Sequence, residues 1–273
     1  MNPGIYRALP SAEYHAIQAM SATGLKLMAR SPAHYFGALL DPNRPPQEPT
    51  AAMKNGTLTH CATFEPEAVA ERYVVRPVGL DGRTKEGKAW LQAQTLEVID
   101  AEQLAAAVRQ ADALRRLPDV DGLLADGEAE VSVFWIDEET GELCKCRPDF
   151  TTPAGDGVIL VDGKTTVDAS PEGFGKAIWN FAYHLQAAHY SRGYEKATGK
   201  KVHGFVFAAV ESSWPHAAAA YMLGDDVLEA AAAKCRRLMN LYSECKRTNN
   251  WPGYSAAIQQ INLPPWAMKG IEA

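Results

Sequence analysis

The spacing of apolar positions changes character along the chain. Met20–Arg30, "MSATGLKLMAR", reads as a helix capped by Ser21, and Ser31-Pro32 opens another by the cap-then-proline rule. Residues 41–50 make a proline-rich loop. Asn55-Gly56 then breaks the chain, after which Leu58, Cys61 and Ala62 recur at helical spacing and set His60 and Phe64 on one face. Residues 79–88, "GLDGRTKEGK", are polar and glycine-rich, a surface loop. A helix from Ala101 to Leu117 carries Leu104, Val108, Ala111 and Leu114 in one stripe. Here the period falls to two. "EVSVFWID", the turn "ETGE" and "LCKCRPDF" predict a β-hairpin, and "GVILVDGKTT" a third strand. A helix over "FAYHLQAAHYSRGYEKATG" ends near Gly199, "FVFAAV" and "AAYML" are strands, and a long helix closes from Asp225 to Arg247. This order predicts an α/β fold with a mixed central sheet flanked by helices and a helical N-terminal region. Without repeats or linkers it reads as a single domain over 1–273: N-terminal helices in 1–55, a core in 56–210, a last strand and helix in 211–273.

The third strand raises a chemical question. Val158-Ile159-Leu160-Val161 is apolar on both faces, as in a strand buried within a sheet, yet Asp162 and Lys164 follow at once. Residues two apart share a strand face, so both point the same way. Asp149, expected at the end of the preceding, roughly antiparallel strand, brings a second carboxylate beside Asp162. Charge at a core edge needs a partner or a metal. Two hard carboxylates suit Mg²⁺ or Mn²⁺, and an adjacent lysine can hold a hydrolytic water or offset phosphate charge. A structural Asp–Lys pair at a sheet edge is the alternative these residues leave open.

Composition narrows the field. With 273 residues, 47% hydrophobic and 22% charged, the chain has the make-up of an ordinary globular protein. No apolar run nears the roughly 20 residues of a membrane span, and the N-terminus lacks a signal-peptide pattern, so a cytoplasmic protein is expected. Five scattered cysteines without a CxxC pair read as reduced thiols; Cys144 and Cys146 share a strand face. A net charge of −6 argues against a general nucleic-acid coat protein but leaves room for a local basic track.

"PD" at Asp149 followed by "DGK" at Asp162–Lys164 resembles the signature of the PD-(D/E)xK nuclease superfamily, with Gly163 where an apolar residue is usual. "GTLTH", ending at His60, resembles the G-x-x-x-H helix of RecB-type nucleases, whose histidine is a metal ligand. Gln186 and Tyr190 in "QAAHY" match the superfamily's Q-x-x-x-Y helix, and Glu130 resembles an added upstream acid. "SATGLKLMARSPAHYFGALLD", "NGTLTHCATFEPEAVAERYVV", "DEETGELCKCRPD" and "YHLQAAHYSRGYEKATG" occur in the same order in RecE-type exonucleases (exodeoxyribonuclease VIII), and "NWPGYSAAIQQINLPPWA" is similar to their C-terminus. The resemblance implies a PD-(D/E)xK, restriction-endonuclease-like core and a metal-dependent 5′→3′ exonuclease on linear double-stranded DNA. Its 3′ overhangs would pass to a RecT-like annealing protein for recombination. It further implies Mg²⁺, with Mn²⁺ as substitute, held by His60, Asp149, Asp162, Glu130 and the Gly163 carbonyl. Lys164 would orient the water, with Gln186 and Tyr190 positioning it or the phosphate. Arg83, Lys85 and Lys88 look like contacts to the DNA backbone, and ring-shaped homo-oligomers occur among such enzymes. The competing readings are a Cas4- or RecB-like nuclease of other polarity, and a silent scaffold that binds DNA ends.

Overall fold

The computed structural model describes residues 1–264, Ala267 and Met268; Pro265 and Trp266, within the C-terminal stretch similar to RecE-type exonucleases, lie outside the described residues. The N-terminal part runs β1 (Gly4–Tyr6), α1 (Ser11–Ala16), α2 (Ala22–Arg30), α3 (Pro32–Tyr35), α4 (Ala51–Phe64) and α5 (Val69–Arg72). Next come β2 (Tyr73–Val75), α6 (Lys85–Gln92), β3 (Glu97–Ile99), α7 (Ala101–Arg115) and α8 (Pro118–Leu124). The rest is β4 (Glu128–Ala129), β5 (Ser132–Ile136), β6 (Leu143–Cys146), β7 (Phe150–Ala154), β8 (Gly157–Thr166), α9 (Pro171–Asn180), α10 (Tyr183–Thr198), β9 (Val202–Glu211), β10 (Ala218–Met222) and α11 (Asp225–Thr248). No helix among the described residues is long and apolar enough to cross a membrane.

Hydroxyl caps start the helices. Ser21, Ser31, Thr50, Thr84 and Ser170 each accept a hydrogen bond from a backbone N–H of the first turn. Two of the caps change what the sequence predicts. The predicted loop over 79–88 stops at Thr84, whose cap opens α6, so Lys85 and Lys88 ride on an exposed helix face. Nor does Asn55-Gly56 break the chain, because Thr50 starts α4 earlier and the helix runs through. A Cβ on Gly56 would stand 3.2 Å from Thr165 Oγ1, so the glycine lets α4 lie close on β8.

Five strands form a mixed sheet in the order β10-β9-β8-β7-β4. Only β8 and β9 are parallel, joined through α9 and α10. The hairpin β5–β6 does not extend this sheet; with β1 it forms an antiparallel three-stranded sheet of its own. The chain therefore leaves the five-stranded sheet between β4 and β5 and returns to it between β6 and β7. Asp149 accordingly does not end the hairpin strand. It precedes β7, where Phe150 pairs with Val161, so continuing the register sets Asp149 opposite Asp162. The alternating pattern looked continuous through "RPDF", but Pro148 cannot donate to a ladder and the chain turns to the other sheet there.

One face of the five-stranded sheet, with Leu160 and Phe207, packs against α2, α9, α10 and α11; the other, with Val161 and Val206, packs against α7 and α8. Burial on both faces of β8 is what its continuous apolar run implies. α4 packs separately along α7 through Leu58, Cys61, Ala107 and Ala111. All five cysteines are buried and unbridged.

Candidate metal centre

β8 carries its charges where the buried run ends. Asp162 is only 1% exposed; its Oδ1 accepts a hydrogen bond from Gln186 Nε2 at 2.6 Å, and its Oδ2 is in direct contact with the Lys164 ammonium. Burial, then the charge of Asp149, pushes Asp162 up to about 6. On Lys164 burial works the other way, but Asp162 and Asp149 outweigh it and raise the ammonium above its ordinary value. Between them Gly163 keeps the strand paired with Ala208. A Cβ there would come 2.7 Å from the Phe64 ring, so the missing side chain admits α4 rather than loosening the strand.

α4 brings the histidine. His60 Nε2 lies 2.6 Å from Asp149 Oδ2, which also accepts the Gly163 N–H at 2.7 Å. Burial alone would raise Asp149, but His60, Lys164 and that N–H hold it below the usual carboxylate range. Burial likewise opposes charge on His60, yet Asp149 and Glu130 lift it to about 9. Glu130, 3.5 Å from His60 Nδ1, is pushed up to about 7, chiefly by burial and further by Asp149. Its backbone is left-handed (φ 55°), a conformation that costs a non-glycine residue about 1–3 kcal/mol and gathers at functional sites.

One ligand atom from each of His60, Glu130 and Asp149 lies within 4.8 Å of the others. An imidazole nitrogen with two carboxylates fits Mn²⁺ or Mg²⁺, and a cation would offset the carboxylate crowding that raises Glu130. Of the five ligands expected from sequence, these three come together. Asp162 stands beside them, engaged by Gln186 and Lys164, and Gly163 meets the site through its N–H. Tyr190 lines the same open cleft of about 950 Å³. Arg83, Lys85 and Lys88 do not line it, and the Arg83 guanidinium is paired with Asp81 at 3.1 Å.

Sequence reasoning missed three neighbours. Lys26 of α2 sits 3.4 Å from Gln186 Oε1 and is held down to about 8, by burial first and Lys164 second. The Tyr183 ring lies under both ammonium groups, 4.8 Å from Lys164 and 4.9 Å from Lys26. Arg147, buried, reaches Glu130 at 3.6 Å while donating to Ser132 Oγ and the Leu9 carbonyl. The one signal for Lys26 was a charge set between Leu25 and Leu27 in α2; Arg147 and Tyr183 lie within three residues of motif positions without belonging to the motif.

A mixed sheet with an Asp, an Asp-x-Lys central strand and a Gln-bearing helix converging at one site defines a PD-(D/E)xK-type fold. Over residues 21–264 the sequence matches the profile of a family described as a PDDEXK-like domain of unknown function (DUF3799), and the chain belongs to that family. No curated protein matches it. Among solved structures it is similar to a "Putative exonuclease" from Eubacterium rectale, at 15% identity and TM-score 0.57 over 95% of this chain and 97% of the other. That likeness extends the shared fold over nearly the whole chain. Similarity to SSO0001 (15% identity, TM-score 0.29, over 52% of this chain and 67% of the other) is too loose to carry an argument. The same holds for the Vibrio cholerae protein VC1899 (12% identity, TM-score 0.25, over 90% and 58%).

Proposed function

We propose that this protein is a divalent-metal-dependent exodeoxyribonuclease of the RecE type, acting 5′→3′ on linear double-stranded DNA in the cytoplasm. The observation that carries the reading is the convergence of His60, Glu130 and Asp149 beside the buried Asp162–Lys164–Gln186 set, in an open cleft. Mg²⁺, or Mn²⁺ in its place, would be held by His60, Glu130 and Asp149, with Asp162 adjoining, and would supply a Lewis acid and lower the pKa of a bound water. In hydrolysis, water oxygen bonds to phosphorus and the bond to the departing ribose oxygen breaks.

The residues divide that work. Lys164, protonated and held by Asp162, meets the negative charge that grows on the phosphoryl oxygens. Gln186 fixes the Asp162 carboxylate, and the Tyr183 ring restricts where the Lys164 ammonium can go. Tyr190 bounds the cleft in which the phosphate would sit. Arg83, Lys85 and Lys88 would follow the DNA backbone from the start of α6. The same reading includes 3′ overhangs handed to a RecT-like annealing protein, and a ring-shaped homo-oligomer.

The test uses linear duplex labelled at the 5′ or the 3′ end, and a covalently closed circle, each with Mg²⁺ and with chelator. Metal-dependent loss of the 5′ label ahead of the 3′ label, with the circle intact, is expected. Cleavage of the circle, early loss of the 3′ label, or no cleavage of any substrate would refute the reading.

A further inference from the structure

Beside the metal cleft lies a second groove of about 670 Å³, between α4, α7, α9 and the end of β8. Its walls include Asn55, Thr166, Lys176, Asn180 and Phe181. Gly56, Thr165 and Tyr183 line both the groove and the cleft, so the two are continuous. Two apolar side chains in its wall are left uncovered by the core, Val167 at 89% exposed and Phe181 at 59%, while Trp179, 73% exposed, stands on α9 outside the wall.

These rings are ordered in pairs. Trp179 stacks on His184 with centroids 5.9 Å apart and planes at 13°; Phe181 stacks on Tyr183 at 5.6 Å and 28°. Ala182, at the joint between α9 and α10, is left-handed (φ 50°), which costs an alanine about 1–2 kcal/mol. The fold thus maintains a strained joint whose two flanking residues are the stacked Phe181 and Tyr183. Because the Tyr183 ring also lies under Lys164, the rings lead from the proposed catalytic lysine out to the surface.

We propose that this groove binds unpaired nucleotides of single-stranded DNA, a base stacking on Phe181; the inference rests on the nuclease reading above, which makes the adjoining cleft a nucleic-acid site. Inside a duplex the bases are stacked on one another and only the outer face of an end pair is open, whereas every unpaired base can turn a free face to the Phe181 ring. Polar groups within reach suit a nucleotide: the Asn180 and Asn55 amides, and Lys176 for a phosphate. Asp168 also lines the groove, its Oδ1 occupied by the Ser170 N–H. With one lysine and one aspartate in the wall, stacking outweighs phosphate neutralisation, and affinity should fall only weakly with salt.

The test measures fluorescence anisotropy of labelled oligothymidylate, roughly 10 nucleotides long, with chelator present throughout. Parent protein, Trp179→Ala, Phe181→Ala, Phe181→Leu and Phe181→Trp are compared, with thermal unfolding as the check on fold. Phe181→Ala should bind the oligonucleotide roughly 5- to 100-fold more weakly, the worth of one stacked base, and Trp179→Ala, outside the wall, should bind as the parent does. Phe181→Trp should retain affinity, and Phe181→Leu should not. The inference is overturned if the parent fails to bind the oligonucleotide, if Phe181→Ala binds as the parent does, if Trp179→Ala loses as much as Phe181→Ala, or if leucine serves as well as tryptophan at position 181. Mn²⁺-dependent release of nucleotides from linear duplex by the parent is read in parallel. Its absence would defeat the nuclease reading, whereas unaltered oligonucleotide binding by the Phe181→Ala variant of a cleaving enzyme would defeat the groove alone.

Discussion

Replacing Glu130 by Gln should stabilise the protein in chelator at pH 8 while weakening its response to metal. Glu130 is pushed from 4.5 up to about 7 in the folded protein, with a side chain 28% exposed. A carboxyl whose folded pKa is raised contributes stability that is fully present below about pH 4.5 and is lost as pH rises through about 7. At about 1.4 kcal/mol per tenfold, keeping Glu130 ionised at pH 8 costs about 3 kcal/mol relative to the unfolded chain. Glutamine keeps the shape without the charge. In chelator the variant should therefore melt roughly 5–10 °C higher than the parent at pH 8, and show little advantage at pH 5. Mn²⁺ should reverse the order at pH 8. At a thousand times its Kd it adds about 4.1 kcal/mol to the parent, more than the variant's head start of about 3, and the variant, short of one ligand, should gain much less. Differential scanning calorimetry at the two pH values, with chelator and with Mn²⁺, reads all four cases. Equal Mn²⁺ stabilisation of both proteins, or no gain for the variant at pH 8 in chelator, would refute the assignment of Glu130 as a crowded ligand.

Three further outcomes are expected. Lys164→Ala should lower end-labelled duplex cleavage about 10²–10³-fold while calorimetric Mn²⁺ binding persists, since His60, Glu130 and Asp149 remain; cleavage at the parent rate would make the lysine structural. Gly163→Ala forces a Cβ against the Phe64 ring, for which about 1–3 kcal/mol of denaturant stability should be lost and partly restored by adding Phe64→Leu. Arg236 forks onto both oxygens of Asp137 at 2.7 and 2.6 Å, and Asp137 is drawn down to about 2, with hydrogen bonds from Arg236 and Thr140 overcoming burial. That stability is present above Asp137's ordinary value near 3.8 and lost as pH falls through about 2; Arg236→Ala should remove about 2 kcal/mol at pH 7 and move acid unfolding to higher pH.

What could be read from the sequence was mostly what spacing within one element decides. Asp162 and Lys164 share a strand face whatever surrounds them, and Gln186 and Tyr190 share a helix face. The apolar stripe of α7 and the two-sided run of β8 likewise carry their own period. Partnerships across elements were less legible. His60 was expected to meet both aspartates, yet its ring lies against Asp149 and Glu130 while Asp162 is taken by Lys164 and Gln186. Alternation in "EVSVFWID" implied one solvent face, but Ser132–Trp135 is buried throughout, because β5 is the central strand of the smaller sheet and α10 lies on it. Lys26 is unremarkable as a helical lysine until α2 is docked beside Gln186.

Glu130 and Asp149 stand where the chain leaves the five-stranded sheet for the hairpin and where it returns, and the Glu130 N–H donates to the Asp149 carbonyl at 3.1 Å. A cation held between their carboxylates would thus act as a rivet between two sheets whose strands share no ladder. Loading it should slow amide exchange in β5 and β6, elements that hold none of the ligands, while the far edge at β10 exchanges as before. Through that seam, occupancy of the centre would be felt as stiffness in a part of the protein that touches neither metal nor phosphate.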